Sequence, residues 1–352
     1  MSRLLDVPDG GLTYESSGVS IEAGDEFVHA IGPLVNSTTR PGVLEGIGGF
    51  GGLFHLGAAG RYQDPVLVAS ADGVGTKLEI ARRVGRYDTV GVDLVAMLVD
   101  DLVCLGAEPL FLLDYVAVGR LRGERLVELV RGLTEGCRQA HCALLGGETA
   151  EHGGVMGDDD VDVAGFAVGV LERDEELGAR RVRDGDVLIG LGSPGLRSNG
   201  YSLARRVLVD DGDLNGPAFD GAERSLGEEL LRPSVIYAPA VLRVRDTLGD
   251  ALHAAAHITG GGIPGNVVRI LPEGLDARVD LESFPTPEIF FEIQRRGRVH
   301  ADEMLRVFNC GVGMVLALSA DRATEALDVF AAEGVDAYRI GDVVVGSRRV
   351  RW

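Results

Sequence analysis

The chain has 352 residues, 45% of them hydrophobic and 25% charged, with a formal net charge of −20. That acidity disfavours nucleic acid and anionic membrane surfaces as partners, and no apolar run approaches the roughly 18 residues of a membrane-spanning helix. The length suggests two domains of roughly 150 residues each. The first 25 residues are acidic and lack the apolar core of a signal peptide. The four cysteines, Cys104, Cys137, Cys142 and Cys310, read as buried thiols of a reducing cytoplasm. Cys137 and Cys142 flank His141, but one Cys-x4-Cys without a second pair is a poor zinc signature.

Residues 1–60 show little periodicity, and glycine-rich residues 46–60 read as a loop or short strand. Residues 66–69 form a short apolar strand, followed by a glycine-rich turn and a helix over 76–84. Residues 90–105 carry apolar side chains at helical spacing, with Asp93, Asp100 and Asp101 among them. A strand at 110–118 leads into a long amphipathic helix over 122–141, with Leu126, Leu129, Val130 and Leu133 on one face. A further strand covers 161–171. Charges then cluster at 172–176 and 180–186, which marks the boundary between expected domains at 1–170 and 171–352. The second half opens on a strand at 186–192 and a helix at 203–209. A helical stretch over 224–248, a glycine turn at 260–262 and a strand-helix-strand over 311–345 complete it. The alternation predicts an α/β (α+β) fold with mixed sheets and helices packed on them.

Lys77 is the only lysine among 34 basic residues. It closes the turn Asp72-Gly73-Val74-Gly75-Thr76-Lys77 after the first apolar strand. Its ammonium is a compact point charge, whereas guanidinium is a wide planar fork. A site that keeps lysine here is expected to set that charge against an anion such as a phosphate. The glycines let backbone N–H groups approach the same anion, although the segment is not a P-loop.

Three other segments set small residues beside functional side chains. Asp100 and Asp101 sit together on a mostly apolar helix. Either they face a pocket and hold Mg²⁺, or one is solvent-exposed and the other pairs with an arginine. Glu148 follows Gly146-Gly147 where a strand is expected to end, and is either a metal ligand or a cap. His257 precedes Thr259-Gly260-Gly261-Gly262, which suits a phosphate cradle or a plain turn.

Taken in order, these segments, with residues 91–115, Asp162–Phe166, Ser198-Asn199-Gly200-Tyr201-Ser202 and Phe308–Met314, resemble the aminoimidazole ribonucleotide synthetases, or phosphoribosylformylglycinamidine cyclo-ligases. The resemblance covers about residues 12–345. It implies that ATP phosphorylates the formyl oxygen of formylglycinamidine ribonucleotide, whose own nitrogen then attacks the activated carbon and expels phosphate. It implies a homodimer in which N-terminal domains pair their sheets, with ATP bound near that interface and the C-terminal domain contributing substrate and phosphate contacts. By motif position it implies Asp72, Asp101 and Glu148 as Mg²⁺ ligands and Lys77 as phosphate cation. Lys77 and His257 take catalytic parts, and Gly73, Gly75, Thr76, Asn199, Thr259, Gly260, Gly261 and Gly262 bind ATP or phosphate. The chain departs from the family in carrying Asp100 where asparagine is usual. It has only Arg40 where lysines precede an Arg-Pro pair, and Ile263-Pro264 after the triple glycine. Relatives of this architecture are set apart by missing residues: no cysteine lies in residues 46–60, as selenophosphate synthesis needs, and none lies at the C-terminus, as the hydrogenase-maturation relative needs.

Overall fold

The computed structural model describes residues 11–352 except 13, 15, 17, 61 and 211; residues 1–10 of the acidic N-terminal segment lie outside them. The first half runs α1 (Ile21–Asn36), β1 (Val43–Glu45), β2 (Leu53–Phe54), α2 (Leu56–Ala59), β3 (Pro65–Gly73), α3 (Leu78–Val84), α4 (Asp88–Cys104), β4 (Glu108–Val118), α5 (Gly123–Gln139), β5 (Ala143–Glu151) and β6 (Val161–Glu172). One sheet has the order β3-β6-β4-β5, antiparallel except for the β4–β5 pair that α5 connects. The short strands β1 and β2 pair with each other.

Helix α4 is apolar nearly all round, and a helix of that kind must be buried on every side. It packs against β3 and β6 of this sheet and against β8 and α8, defined below, of the second half. Leu94, Val95, Leu98 and Val99 have no exposed surface. Its close packing on α5 depends on glycine. A Cβ at Gly91 would lie 2.4 Å from the Leu129 carbonyl oxygen, and one at Gly132 only 1.8 Å from that of Asp88. Glycine costs a helix roughly 1 kcal/mol against alanine, and the close approach it permits offsets this. Leu126, Leu129, Val130 and Leu133 of α5 are buried as the periodicity requires. The sheet's opposite face is open: Leu67 is 61% and Phe166 50% exposed.

The second half runs β7 (Val187–Gly192), α6 (Tyr201–Leu208), α7 (Leu226–Leu230), α8 (Ala238–Leu248), β8 (Leu252–His257), α9 (Gly262–Val267), β9 (Leu275–Val279), α10 (Glu288–Gly297), α11 (Ala301–Val307), β10 (Val312–Leu318), α12 (Ala323–Ala332), β11 (Ala337–Val345) and β12 (Val350–Arg351). Its sheet has the order β12-β9-β11-β7-β10-β8. All pairs are antiparallel except β12–β9. Strands β8 and β10 are buried along their whole length, so β10 reads as a continuous apolar run without alternation, while β8 carries two buried histidines. Among the described residues no helix is long and apolar enough to cross a membrane.

Three local expectations change. Strand β3 runs on to Gly73, so Asp72 lies on the strand end and not in a turn. Strand β5 runs to Glu151, so Glu148 sits inside a strand and caps nothing. The single helical stretch at 224–248 is two helices, because residues 231–237 are drawn out of helix. Pro233 has no N–H to give a helix, and the backbone N–H groups of Ser234 and Tyr237 go to Asp93 and Asp100 of α4.

Candidate active site

The three acids of α4 have three different environments. Asp93 is fully buried, and its Oδ2 lies 2.5 Å from Lys77 Nζ. Its Oδ1 accepts from the Ser234 N–H (2.8 Å) and hydroxyl (2.6 Å). Lys77 also donates to the carbonyls of Arg232 (2.8 Å) and Arg197 (3.1 Å), and its ammonium lies 5.6 Å from the Tyr201 ring centroid. Two donors of the ammonium thus go to carbonyls, and its charge is set against the Asp93 carboxylate. The one-turn helix Gly75–Lys77 swings the side chain inward onto α4. Lys77 is therefore the tie between the strand-end loop and two loops of the second half, and it has no surface open to a phosphate.

Asp100 is fully buried too. Its Oδ1 accepts from the N–H groups of Tyr237 (2.9 Å) and Ala238 (3.1 Å) at the start of α8. Its Oδ2 accepts from Arg197 Nη2 at 2.7 Å. Of the two readings of the acid pair, pairing with arginine is what Asp100 does.

Asp101 faces the cleft, its side chain 44% exposed, with Oδ1 2.9 Å from His257 Nδ1. Its Oδ2 accepts from the Ser70 hydroxyl at 3.3 Å. Burial pushes its carboxyl up, but the hydrogen bonds from His257 and Ser70 outweigh this and hold it below the usual carboxylate range. Asp72 accepts from the Gly73 N–H at 2.7 Å. Its carboxyl is raised, first by burial and also by the charge of Asp101. A cavity of about 420 Å³ opens between the halves here, lined by Ser70, Asp101, Cys104, His257, Asn266 and Arg269.

Three glycine loops meet around this cleft. Gly75 sits at φ +67°, and the neighbouring Thr76 hydroxyl lies 3.4 Å from that of Ser202. Asn199 Oδ1 accepts from the Gly260 N–H at 2.5 Å, joining the second loop to the third. Asn266 holds the third loop from below, donating to the carbonyls of Gly262 (2.9 Å), Gly260 (3.3 Å) and Thr259 (3.4 Å). The Thr259 hydroxyl lies 3.5 Å from Asn266 Oδ1. Gly262 must be glycine: φ is +58°, and a Cβ would meet the Leu305 carbonyl oxygen at 1.8 Å. It also begins α9, so the glycine run is a turn that enters a helix, with Gly261 at φ +102° before it.

Glu148 stands apart. The register aligns Asp72 with Gly165, Gly165 with Asp114, and Asp114 with Gly147. Three strand spacings of about 4.8 Å put the Glu148 end of that row roughly 14 Å from Asp72, too far to share one ion within a protomer. Among the described residues no cluster of three or more histidine, cysteine, aspartate or glutamate side chains is arranged to hold a metal. Glu148 instead lines a larger cavity, about 1010 Å³, on the open sheet face beside Phe27, Phe54, Asp114, Leu145 and Phe166.

Sequence reasoning missed Asp93, Arg197 and Asn266 as parts of the site. The signal for Arg197 was its position beside Ser198-Asn199-Gly200. For Asn266 it was an amide one turn into the helix that the glycines open. Arg40, the cation kept near the N-terminus, donates to Glu108 (2.5 Å) and to the carbonyls of Pro109 (2.6 Å) and His141 (2.8 Å), a structural tie. The four cysteines are free thiols.

Comparison with known proteins gives concordant results. Residues 57–171 match the family described as AIR synthase related protein, N-terminal domain, and residues 183–352 match its C-terminal domain. Phosphoribosylformylglycinamidine cyclo-ligase of Myxococcus xanthus is 50% identical over 338 residues, 96% of this chain and 97% of that one. The protein of the same description from Anaeromyxobacter is 49% identical over 337 residues, with the same coverage. Among solved structures, thiamine-monophosphate kinase of Stenotrophomonas maltophilia superposes with a TM-score of 0.69 at 20% identity, covering 92% of this chain and 95% of its own. Hydrogenase maturation protein HypE in complex with ATP gives 0.63 at 18% identity, covering 95% and 92%. These structural likenesses establish the shared fold. The sequence relatives establish more, and by them the chain belongs to the phosphoribosylformylglycinamidine cyclo-ligase family.

Proposed function

We infer that the cleft between the two halves is where this chain closes an imidazole ring. The chain is an ATP-dependent cyclo-ligase of purine biosynthesis, converting formylglycinamidine ribonucleotide and ATP to aminoimidazole ribonucleotide, ADP and phosphate. The observation that carries this is half-identity to a cyclo-ligase over 96% of the chain. The chemistry needs little from the protein beyond placement. An amide oxygen is a poor leaving group, and phosphorylation makes it a good one. The γ-phosphoryl group passes to the formyl oxygen, the substrate's nitrogen attacks that carbon, and phosphate departs. Holding two anions in reacting geometry and offsetting their charge supplies most of the rate.

Asp72 and Asp101 are the residues we assign to Mg²⁺. Hard oxygen donors suit that ion, and each acid stands in the other's field. Bound there, the ion would neutralise phosphate oxygens. Glu148 belongs to the cavity on the sheet face, where it is assigned to the nucleotide side. Gly73, Gly75, Thr76, Asn199 and Thr259–Gly262 are assigned to phosphate and ribonucleotide contacts through the backbone N–H groups of their loops. Lys77 and His257 act by holding these parts in place. Residues 1–170 supply the nucleotide and pairing surface and 171–352 the substrate contacts, in a cytoplasmic enzyme. The exposed apolar sheet face around Leu67 and Phe166 is assigned to pairing with a second copy, because contiguous exposed apolar surface marks an interaction site. The deciding assay is ADP release that requires both formylglycinamidine ribonucleotide and Mg²⁺, with the aminoimidazole product identified. Turnover that needs glutamine or ammonia instead would overturn the reading.

A further inference from the structure

We propose that Arg197 is a positioning residue of this cleft, acting through the ring of His257 on Asp101. The proposal rests on the reading of Asp101 as a cleft carboxylate. Arg197 is 3% exposed. Its Nη2 serves two acceptors, Asp100 Oδ2 at 2.7 Å and His257 Nε2 at 3.0 Å. Its Nη1 donates to the Val235 carbonyl at 2.7 Å, and its guanidinium carbon lies 4.9 Å from the Tyr237 ring centroid. The backbone holds it at φ +61°, a conformation that side-chain-bearing residues avoid and that persists only where surroundings impose it.

A guanidinium can only donate, so His257 Nε2 must accept. The imidazole proton then sits on Nδ1, which faces Asp101 Oδ1 at 2.9 Å. The other tautomer would set an N–H against an N–H at Arg197 and a lone pair against a carboxylate at Asp101. Arg197 thus selects the tautomer, and the tautomer ties down one oxygen of Asp101, leaving the other with the Ser70 hydroxyl at 3.3 Å. Asp100 makes the buried guanidinium tolerable, since an unpaired charge there would be strongly unfavourable. The chain Asp100–Arg197–His257–Asp101 starts on α4, crosses to the second half and returns to α4 one residue on. The halves are joined elsewhere without it, by Lys77–Asp93 and by Arg245 donating to the Gly106 carbonyl at 2.6 Å. The contact with His257 is therefore not required for docking alone.

The test begins with ligand-free wild-type protein labelled with ¹⁵N-histidine, the His257 signals assigned by their loss in His257→Gln. The expected spectrum has Nδ1 protonated and Nε2 bare; an Nε2–H tautomer, an exchanging mixture or a doubly protonated ring overturns the proposal. Next, Arg197→Met is expected to lose the fixed tautomer and at least tenfold in kcat, with Arg197→Lys recovering part of both. In the double variant Arg197→Met/His257→Gln, kcat is expected to be no lower than in His257→Gln alone. Losses that multiply, or a folded Arg197→Met with full kcat, refute action through His257. If Arg197→Met does not fold, the wild-type spectrum and Arg197→Lys decide. Asp101→Asn separates the two layers: full activity there sinks the cleft reading of Asp101, whereas the tautomer of His257 is read independently of it.

Discussion

Lys77→Met keeps most of the side chain's volume and removes its charge. Both Lys77 and Asp93 are without exposed surface, so the variant leaves a carboxylate buried with only Ser234 as partner. Breaking one side of a buried ion pair costs about 3–5 kcal/mol. The two carbonyls that lose their donor add to this. A net loss of about 3–5 kcal/mol is large against the roughly 5–15 kcal/mol that holds a typical protein folded. The assay is urea unfolding followed by circular dichroism, alongside the ATP KM measured well below the unfolding midpoint. Adding Asp93→Asn to Lys77→Met should recover part of the loss, because the amide oxygen still accepts from Ser234 and no charge is stranded. Lys77→Arg keeps the charge, but its wider fork enters a site closed by two fixed carbonyls. It is expected to cost about 1–3 kcal/mol through overpacking and at least about tenfold in rate, equivalent to roughly 1.4 kcal/mol. An unchanged unfolding midpoint with a strongly raised KM for ATP would refute the argument. Lys77 would then be serving the nucleotide as the sequence suggests, with the buried pair carrying little.

Asp114 lies in the larger cavity, where burial pushes its carboxyl from the ordinary 3.8 up to about 7. The folded state therefore takes up a proton that the unfolded chain does not, and this contribution is lost as pH rises through about 7. Asp114→Asn should gain melting temperature relative to wild type between about pH 4 and 7 and then level off; an equal difference at pH 5 and pH 8 would contradict this. Phe166→Glu places a charge on the open sheet face and should shift the mass seen by light scattering from dimer to monomer. A wild-type chain already monomeric at micromolar concentration would remove the basis for it. Asn266→Ala leaves three loop carbonyls without their donor, at about 1–3 kcal/mol, and should raise KM for the ribonucleotide more than it lowers kcat. A stability loss with KM unchanged would confine Asn266 to supporting α9.

Periodicity located some elements and missed others: residues 1–60, read as having little of it, contain helix α1, and α10 was not foreseen. The amphipathic face of α5, the strand at β4 and the apolar helix with its three acids lie where their spacing puts them. Direction was not legible. Lys77 stands in a turn whose composition invites phosphate, but whether it points outward depends on one helical turn and on Asp93, sixteen residues later in the chain. The family resemblance implies Glu148 as a third ligand by motif position, and only the order β3-β6-β4-β5 puts it at the opposite sheet edge from Asp72. The break between α7 and α8 was signalled by Pro233, but the capture of the Ser234 and Tyr237 N–H groups by Asp93 and Asp100 is a competitor that local propensity does not contain. Strand β8 escaped because three alanines between two histidines carry no alternation. Its burial comes from lying at the interface with α4.

The placement of charge explains why an enzyme with a formal charge of −20 can work on two anions, and at what point it needs help. The buried cations nearest the cleft are already cancelled, Lys77 by Asp93 and Arg197 by Asp100. Neither has charge to spare for a phosphate without stranding its partner. What remains is acidic on balance: Asp101 and Glu176 line the cavity with Arg269, and Asp72 stands beside them in the field of Asp101. Left alone, that surface repels ATP and a ribonucleotide. Two sources of positive potential remain. One is the set of backbone N–H groups in the glycine loops, which costs no buried charge. The other would be a divalent cation held by Asp72 and Asp101, which would offset their charge toward the substrate. The pairing of the buried charges supports the Mg²⁺ requirement proposed above. It should be steepest where the carboxylates are both ionised, and Asp101→Asn, which removes one of them, should weaken the response of ATP binding to Mg²⁺ concentration more than it weakens the fold.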